Sequence, residues 1–286
     1  MQFYVLIVLI TFLWGLSFPT MKIGLGVMQP FVFLLLRSVV SAAVIFLLIA
    51  ARHGAAAPPK RRPEFWVNAI LHNAMFLLLY YGAAVTTSGR TSVFLYTQPL
   101  FYAGLAAWLI PAERLGLRSV LGFAAAFGGI VVMFGDKLGT GSADTLAGDS
   151  LVILAACVWG IQSFYLHQRL KGIDPFRIAA WTQLVGVPIY LCSALIGGLE
   201  LPDFSARAVL IAVGYNGVVG TGLVMVLWVR LLADFPPTRV SAFMFLTPVF
   251  GVVMSGVILS ESLTGGALAG SALVAAGIYL VNTGKR

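Results

Sequence analysis

The chain has 286 residues, 60% of them hydrophobic and 10% charged, with a mean hydropathy of +0.97 and a formal charge of +8. That leaves too little polar surface to coat a soluble globule of this size, which excludes a water-soluble enzyme and implies a membrane protein. The basic excess does not point to nucleic acid, because it sits in short segments between apolar runs, where it acts as a topology signal.

A helix needs about 20 apolar residues to cross ~30 Å of hydrocarbon. Ten such runs are predicted, at 3–24, 30–50, 65–85, 90–110, 115–135, 149–170, 175–198, 206–232, 237–260 and 264–283. The first lacks a basic leader and a small-residue cleavage site, so it reads as a retained helix. It places Trp14, Ser17, Phe18 and Met21 at i, i+3, i+4 and i+7, on one face. Such a stripe is either plain interhelical packing or an amphipathic cavity wall. The second span holds Arg37, the one clearly intramembrane charge, seven residues or ~10 Å from Pro30. At that depth a guanidinium either snorkels to the headgroups or serves as a cavity cation for a substrate carboxylate. The third span puts Asn73, Phe76 and Tyr80 on one face with His72 beside it. His72 is either a satisfied packing histidine or a group that titrates near neutral pH.

Pro99 falls in the middle of the fourth span, next to Tyr96 and Gln98, and Pro248 in the middle of the ninth. Each removes a backbone donor and clashes with the carbonyl four residues earlier, at Leu95 or Met244, which gives a static kink or a hinge. Glu113 and Glu261 precede the fifth and tenth spans, where a carboxylate favours the positive end of a helix. Those spans also carry Gly122, Ala126 and Gly129, and Gly266 with Gly270, small residues that permit close approach inside the molecule or across a dimer face. Residues 136–148, "DKLGTGSADTLAG", read as a loop. The sixth span carries Trp159, Gln162, Ser163 and Leu166 on one face, and the eighth carries Tyr215, Asn216 and Trp228. Cys157 and Cys192 lie inside spans as small apolar fillers, so neither a metal site nor a cofactor is implied. All ten acidic residues fall in predicted loops or at helix ends, leaving no buried carboxylate as a proton relay or ammonium partner.

With the N-terminus inside, cytoplasmic segments hold thirteen Lys and Arg residues against four outside, with Arg37 in a helix completing the 18. This favours both termini in the cytoplasm. The chain also repeats itself. Trp14-Gly15 returns as Trp159-Gly160 and Pro30-Phe31 as Pro175-Phe176, at an offset of 145. Arg90, Ser92, Phe94, Pro99 and Phe101 return as Arg239, Ser241, Phe243, Pro248 and Phe250 at 149, and Glu113, Gly122 and Gly129 as Glu261, Gly270 and Gly277 at 148. Five spans per copy force the second copy to enter the membrane from the opposite side. The expectation is an all-α integral membrane protein of ten transmembrane helices in two inverted five-helix repeats, 1–135 and 149–284, with a substrate site between them.

The motifs "LWGLSFPTMKIGL", "LLLRS", "QPLFYAGLAAWLIPAERL" and "TPVFGVVMSGVILSESL" carry a resemblance to the drug/metabolite transporter superfamily, and within it to the ten-helix EamA-domain exporters, including the O-acetylserine/cysteine exporter type. The resemblance implies an inner-membrane exporter of amino acids or related metabolites, acting as a monomer or homodimer, with a central cavity ringed by helices 1, 3, 4, 6, 8 and 9. The first-helix carboxylate of small multidrug members is absent here, where Leu13 and Trp14 stand instead. The expected cargo is a small zwitterion, with Arg37 on its carboxylate and Trp14, Trp159, Tyr80 and Tyr96 around its ammonium or side chain. Ser17, Phe18, His72, Asn73, Phe76, Gln98, Gln162, Ser163, Tyr215 and Asn216 complete the expected substrate wall. Two other readings stand beside it: efflux of hydrophobic drugs, and an intramembrane serine protease built on Gly15-Leu16-Ser17 with His72 as base. The second copy argues against the protease, because Gln162 occupies the position matching Ser17.

Overall fold

Backbone polar groups in hydrocarbon must be satisfied within the segment, so apolar runs of this length fold as helices. The computed structural model describes residues 2–52, 54, 57–58, 63–86, 88–135, 142–259 and 264–283, apart from the side chains of 88, 89 and 259. The described residues form thirteen α-helices and no strand: α1 (Gln2–Leu25), α2 (Pro30–Ala51), α3 (Pro63–Val85), α4 (Ser88–Leu95), α5 (Gln98–Leu109), α6 (Leu117–Phe134), α7 (Ala143–Arg169), α8 (Pro175–Ile196), α9 (Arg207–Gly214), α10 (Val224–Asp234), α11 (Pro237–Met244), α12 (Leu246–Leu259) and α13 (Gly265–Thr283). Among them, nine continuous segments are long and apolar enough to cross a membrane. The expectations for Glu261, for the basic residues at 60–62, 137 and 285–286, and for residues 136–141 fall outside the described residues.

The predicted span 90–110 splits into α4 and α5 at Tyr96-Thr97. Proline is the reason. Pro99 stands in the first turn of α5, and ahead of it the amide of Thr97 donates to the Phe94 carbonyl at 3.2 Å while the Thr97 hydroxyl bonds the same carbonyl at 2.6 Å. Pro248 is preceded in the same way by an interruption at Phe245, between α11 and α12. Between α9 and α10 runs a nine-residue π-helical stretch, Tyr215–Leu223, "YNGVVGTGL". Its wide turn brings the Gly217 carbonyl within 2.8 Å of where a Cβ at Gly222 would lie, so only glycine fits there. α7 begins six residues before its predicted start because the Ser142 hydroxyl caps the Thr145 amide, which turns the second half of the expected loop into helix.

Small residues set the packing. α6 and α13 run antiparallel, Gly122 against Gly277 and Gly129 against Gly270, close enough that a Cβ at Gly129 would lie 2.6 Å from the Gly270 carbonyl. The glycines of these two helices therefore serve an internal interface. Gly15 of α1 packs on Phe250 of α12, and Gly160 of α7 packs on Phe101 of α5. α3 lies along α7 and α2 along α8. The outward surface is apolar, with Leu47, Trp108 and Ile196 among its exposed side chains, as suits contact with lipid.

Candidate functional site

A cavity of about 130 Å³ opens among α1, α2, α3, α7 and α10, reaching Tyr96 at the α4–α5 break, Thr247 of α12 and the π-helical stretch. The α1 stripe faces it in full: Trp14, Ser17, Phe18 and Met21 all line the wall. Trp14 is fixed in place because its Nε1 donates to the Gly220 carbonyl at 2.9 Å, an oxygen of the π-helical stretch. Its ring meets Trp159 edge-on at 5.9 Å between centroids and Trp228 at 5.2 Å, so three indoles gather at one end of the cavity.

Arg37 does not snorkel. It is 6% exposed and turned inward, with its guanidinium carbon 4.1 Å from the Phe76 ring centroid and 5.3 Å from that of Tyr80. Phe76 and Tyr80 stand one turn apart on α3, so the two rings form a platform for the planar guanidinium. Nη1 donates to the Tyr80 hydroxyl at 3.3 Å, which in turn donates to Met21 Sδ at 3.4 Å. The Arg37 Nε is buried and meets no hydrogen-bond partner among the described residues. His72 also lines the cavity, its ring 5.0 Å from Phe76 and its Nε2 3.4 Å from Gln183 Nε2.

Five expected wall residues lie elsewhere. Asn73 is fully buried against α8, donating to the Ala69 carbonyl at 2.8 Å and the Thr182 carbonyl at 3.0 Å. Gln162 donates to Asn68 Oδ1 at 2.6 Å, and Ser163 is buried beside it. Because α7 is packed along α3 and α5, only the long Trp159 side chain of that stripe reaches the cavity. Gln98 begins α5 behind the break, beside Gly160, leaving Tyr96 at the wall. Tyr215 is turned to α1, where its hydroxyl donates to the Leu13 carbonyl at 2.9 Å. Asn216 does line the cavity and donates to Thr20 Oγ1 and the Ala212 carbonyl.

The expectation of no buried carboxylate is corrected at two positions. Asp149 is buried because α7 starts early, and it pairs with Arg90, whose Nε lies at 2.9 Å, while accepting from Thr86 at 2.7 Å. Glu113 sits in the turn Pro111–Glu113 and caps α11, accepting from the Thr238 amide at 3.1 Å and from the Thr238 hydroxyl. Neither carboxylate lines the cavity. The Ser17 hydroxyl donates to the Leu13 carbonyl, so its bond goes to its own helix rather than to a histidine base.

Met75, Leu79, Leu95, Thr221, Met225 and Thr247 join the wall without having been singled out. The apolar ones carry no mark in the sequence that separates them from lipid-facing neighbours. Thr221 has one, since it lies in the glycine-dense run 217–222 that forms the π-helical stretch.

A model of the EamA-like transporter family matches residues 1–135 and again 146–283. Among curated relatives, the chain is 26% identical to a probable amino-acid metabolite efflux pump of Salmonella typhimurium, over 96% of this chain and 93% of the relative. It is 25% identical to one of the same description in Escherichia coli, over 99% and 95%. It is also 24% identical to the uncharacterized transporter YoaV of Bacillus subtilis, over 86% and 85%. A solved crystal structure superposes with a TM-score of 0.83 over 96% of both chains at 19% identity, a likeness of fold alone. The chain is a membrane transporter and belongs to the EamA-like transporter family.

Proposed function

We propose that this protein exports a small zwitterionic metabolite, most plainly an amino acid, across the cytoplasmic membrane by alternating access. Its ten transmembrane helices would form two inverted repeats, 1–135 and 149–284, with both termini cytoplasmic and α4 with α5 acting as one broken span. The repeat-equivalent contacts support this arrangement. Gly15 on Phe250 and Gly160 on Phe101 are one contact made twice, and the α6–α13 glycine pairs exchange places under the same correspondence. Pro99 and Pro248, at equivalent interruptions, are the proposed hinges.

The observation that carries the substrate reading is Arg37, a guanidinium held in the wall of an aromatic cavity, with no acidic residue lining that cavity among the described residues. A planar fork in that position suits a carboxylate. The names of the Salmonella and Escherichia coli relatives point the same way. Purified protein in liposomes, loaded with a panel of labelled amino acids and run with and without a pH gradient, tests the proposal. Saturable efflux of at least one amino acid, cut at least tenfold in Arg37→Gln, is expected; no movement under any gradient contradicts it. The mainly apolar wall favours a second reading, efflux of hydrophobic drugs. Dye efflux without competition from amino acids would select it.

A further inference from the structure

The cavity offers one sign of charge. Among the described residues its lining contains Arg37 and His72 and no aspartate or glutamate. Whatever its protonation, His72 contributes zero or positive charge, never negative. The two carboxylates that are buried among the described residues lie outside the cavity, Asp149 held by Arg90 and Thr86 and Glu113 by Thr238. A cargo ammonium therefore enters without a counter-charge from the described wall, within reach of a fixed guanidinium, in a mainly apolar site. The neutral oxygens of Ser17, Asn216, Thr221 and Thr247 and the aromatic faces are what remain to compensate it, and the faces are partly spent. Phe76 and Tyr80 already carry Arg37 on their faces, and Trp14 is packed against both Trp159 and Trp228. A carboxylate meets the reverse situation: a desolvated cation whose buried Nε has no partner among the described residues.

We infer that the cavity accepts apolar monocarboxylates as well as amino acids and holds the monocarboxylates more tightly, so that the α-amino group weakens binding. This extends the proposed amino-acid export and rests on its assignment of Arg37 to the cargo carboxylate. The apolar body lies toward the three indoles, and the carboxylate lies on the Arg37 platform. Aromatic and branched acids produced by deamination of amino acids belong to the chemical class that fits.

Three ligands that differ only at the charged end test it: 3-phenylpropionate, L-phenylalanine and 2-phenylethylamine, titrated into the full-length protein in nanodiscs at neutral pH by calorimetry. The expected result is a Kd for 3-phenylpropionate at least tenfold below that for L-phenylalanine, with no binding of the amine. Equal or tighter binding of L-phenylalanine overturns the inference and leaves the amino-acid proposal standing. Binding of 3-phenylpropionate alone, or of neither acid, overturns both. The comparison is made within the wild-type protein, so it does not depend on a variant folding. Thr221→Asp, which adds a carboxylate to the wall, is expected to shift the preference toward L-phenylalanine at least tenfold; an unchanged ratio in a folded variant counts against the inference.

Discussion

Trp14 does two things at once: its ring packs against Trp159 and Trp228, and its Nε1 holds the Gly220 carbonyl of the π-helical stretch. Trp14→Phe separates these roles by keeping an aromatic ring and removing the donor. A hydrogen bond of this kind contributes about 1 kcal/mol net, so transport assays are expected to show KM raised roughly fivefold rather than activity abolished. An unchanged KM would mean the bond does not shape the site. At this scale the sequence reading was strong where a side chain was unusual for its surroundings. Arg37 stood out as a charge within an apolar run, but its depth fitted both the headgroups and the cavity. The Phe76–Tyr80 platform on a neighbouring helix decides between them. Gln162, Ser163, Asn73, Gln98 and Tyr215 were equally conspicuous as polar groups, yet four of them are at most 1% exposed and tie or fill helix contacts, while Tyr215 bonds to α1. Polarity within a membrane span marks a need for a partner, and that partner is as often another helix as a cargo.

Among the elements, proline and glycine were the legible residues. Pro99 and Pro248 announced the interruptions between α4 and α5 and between α11 and α12, although the fourth and ninth spans were each read as one span. The π-helical stretch was not legible as such, because a glycine-dense run signals freedom of the backbone without saying which wide turn it adopts. The start of α7 was missed because a polar segment capped by Ser142 looks like loop until the helix it opens is seen. The tightest packing is at α6 and α13. A side chain at Gly129 would have to displace the backbone of Gly270, with Val274 also within contact. Gly129→Val is therefore expected to lower the apparent melting temperature in detergent by several degrees, read by loss of the monodisperse peak on heating. Gly128→Val is the control, because a Cβ there meets nothing nearer than Leu273 at 3.8 Å. Equal effects from the two would contradict the packing.

For the whole molecule, the repeat read from Trp14-Gly15 and Trp159-Gly160 has a physical counterpart in matched contacts, yet the two halves are not used alike. The α1 stripe faces the cavity throughout, whereas the α7 stripe reaches it through Trp159 alone. α7 is bound to α10, with His167 Nδ1 at 2.5 Å from the Leu232 carbonyl, while α1 and α3 approach through the Tyr80 hydroxyl and Met21. A sequence duplication reports common descent of the halves, but a single conformation treats them unequally, and that inequality is invisible in the residues themselves. The proposed topology is checked by reporter fusions at the C-terminus: green fluorescent protein is expected to fluoresce there and alkaline phosphatase to stay inactive. The reverse pattern would overturn the cytoplasmic placement of the termini.

The most direct test of a shared pocket that faces each side in turn is the accessibility of one wall position from both. Ser17→Cys, in a background with Cys157 and Cys192 replaced, can be challenged in oriented vesicles with a membrane-impermeant thiol reagent added to either face. Labelling from both faces, in proportions that shift when cargo is present, is the expected result. Labelling confined to one face under every condition would contradict the account.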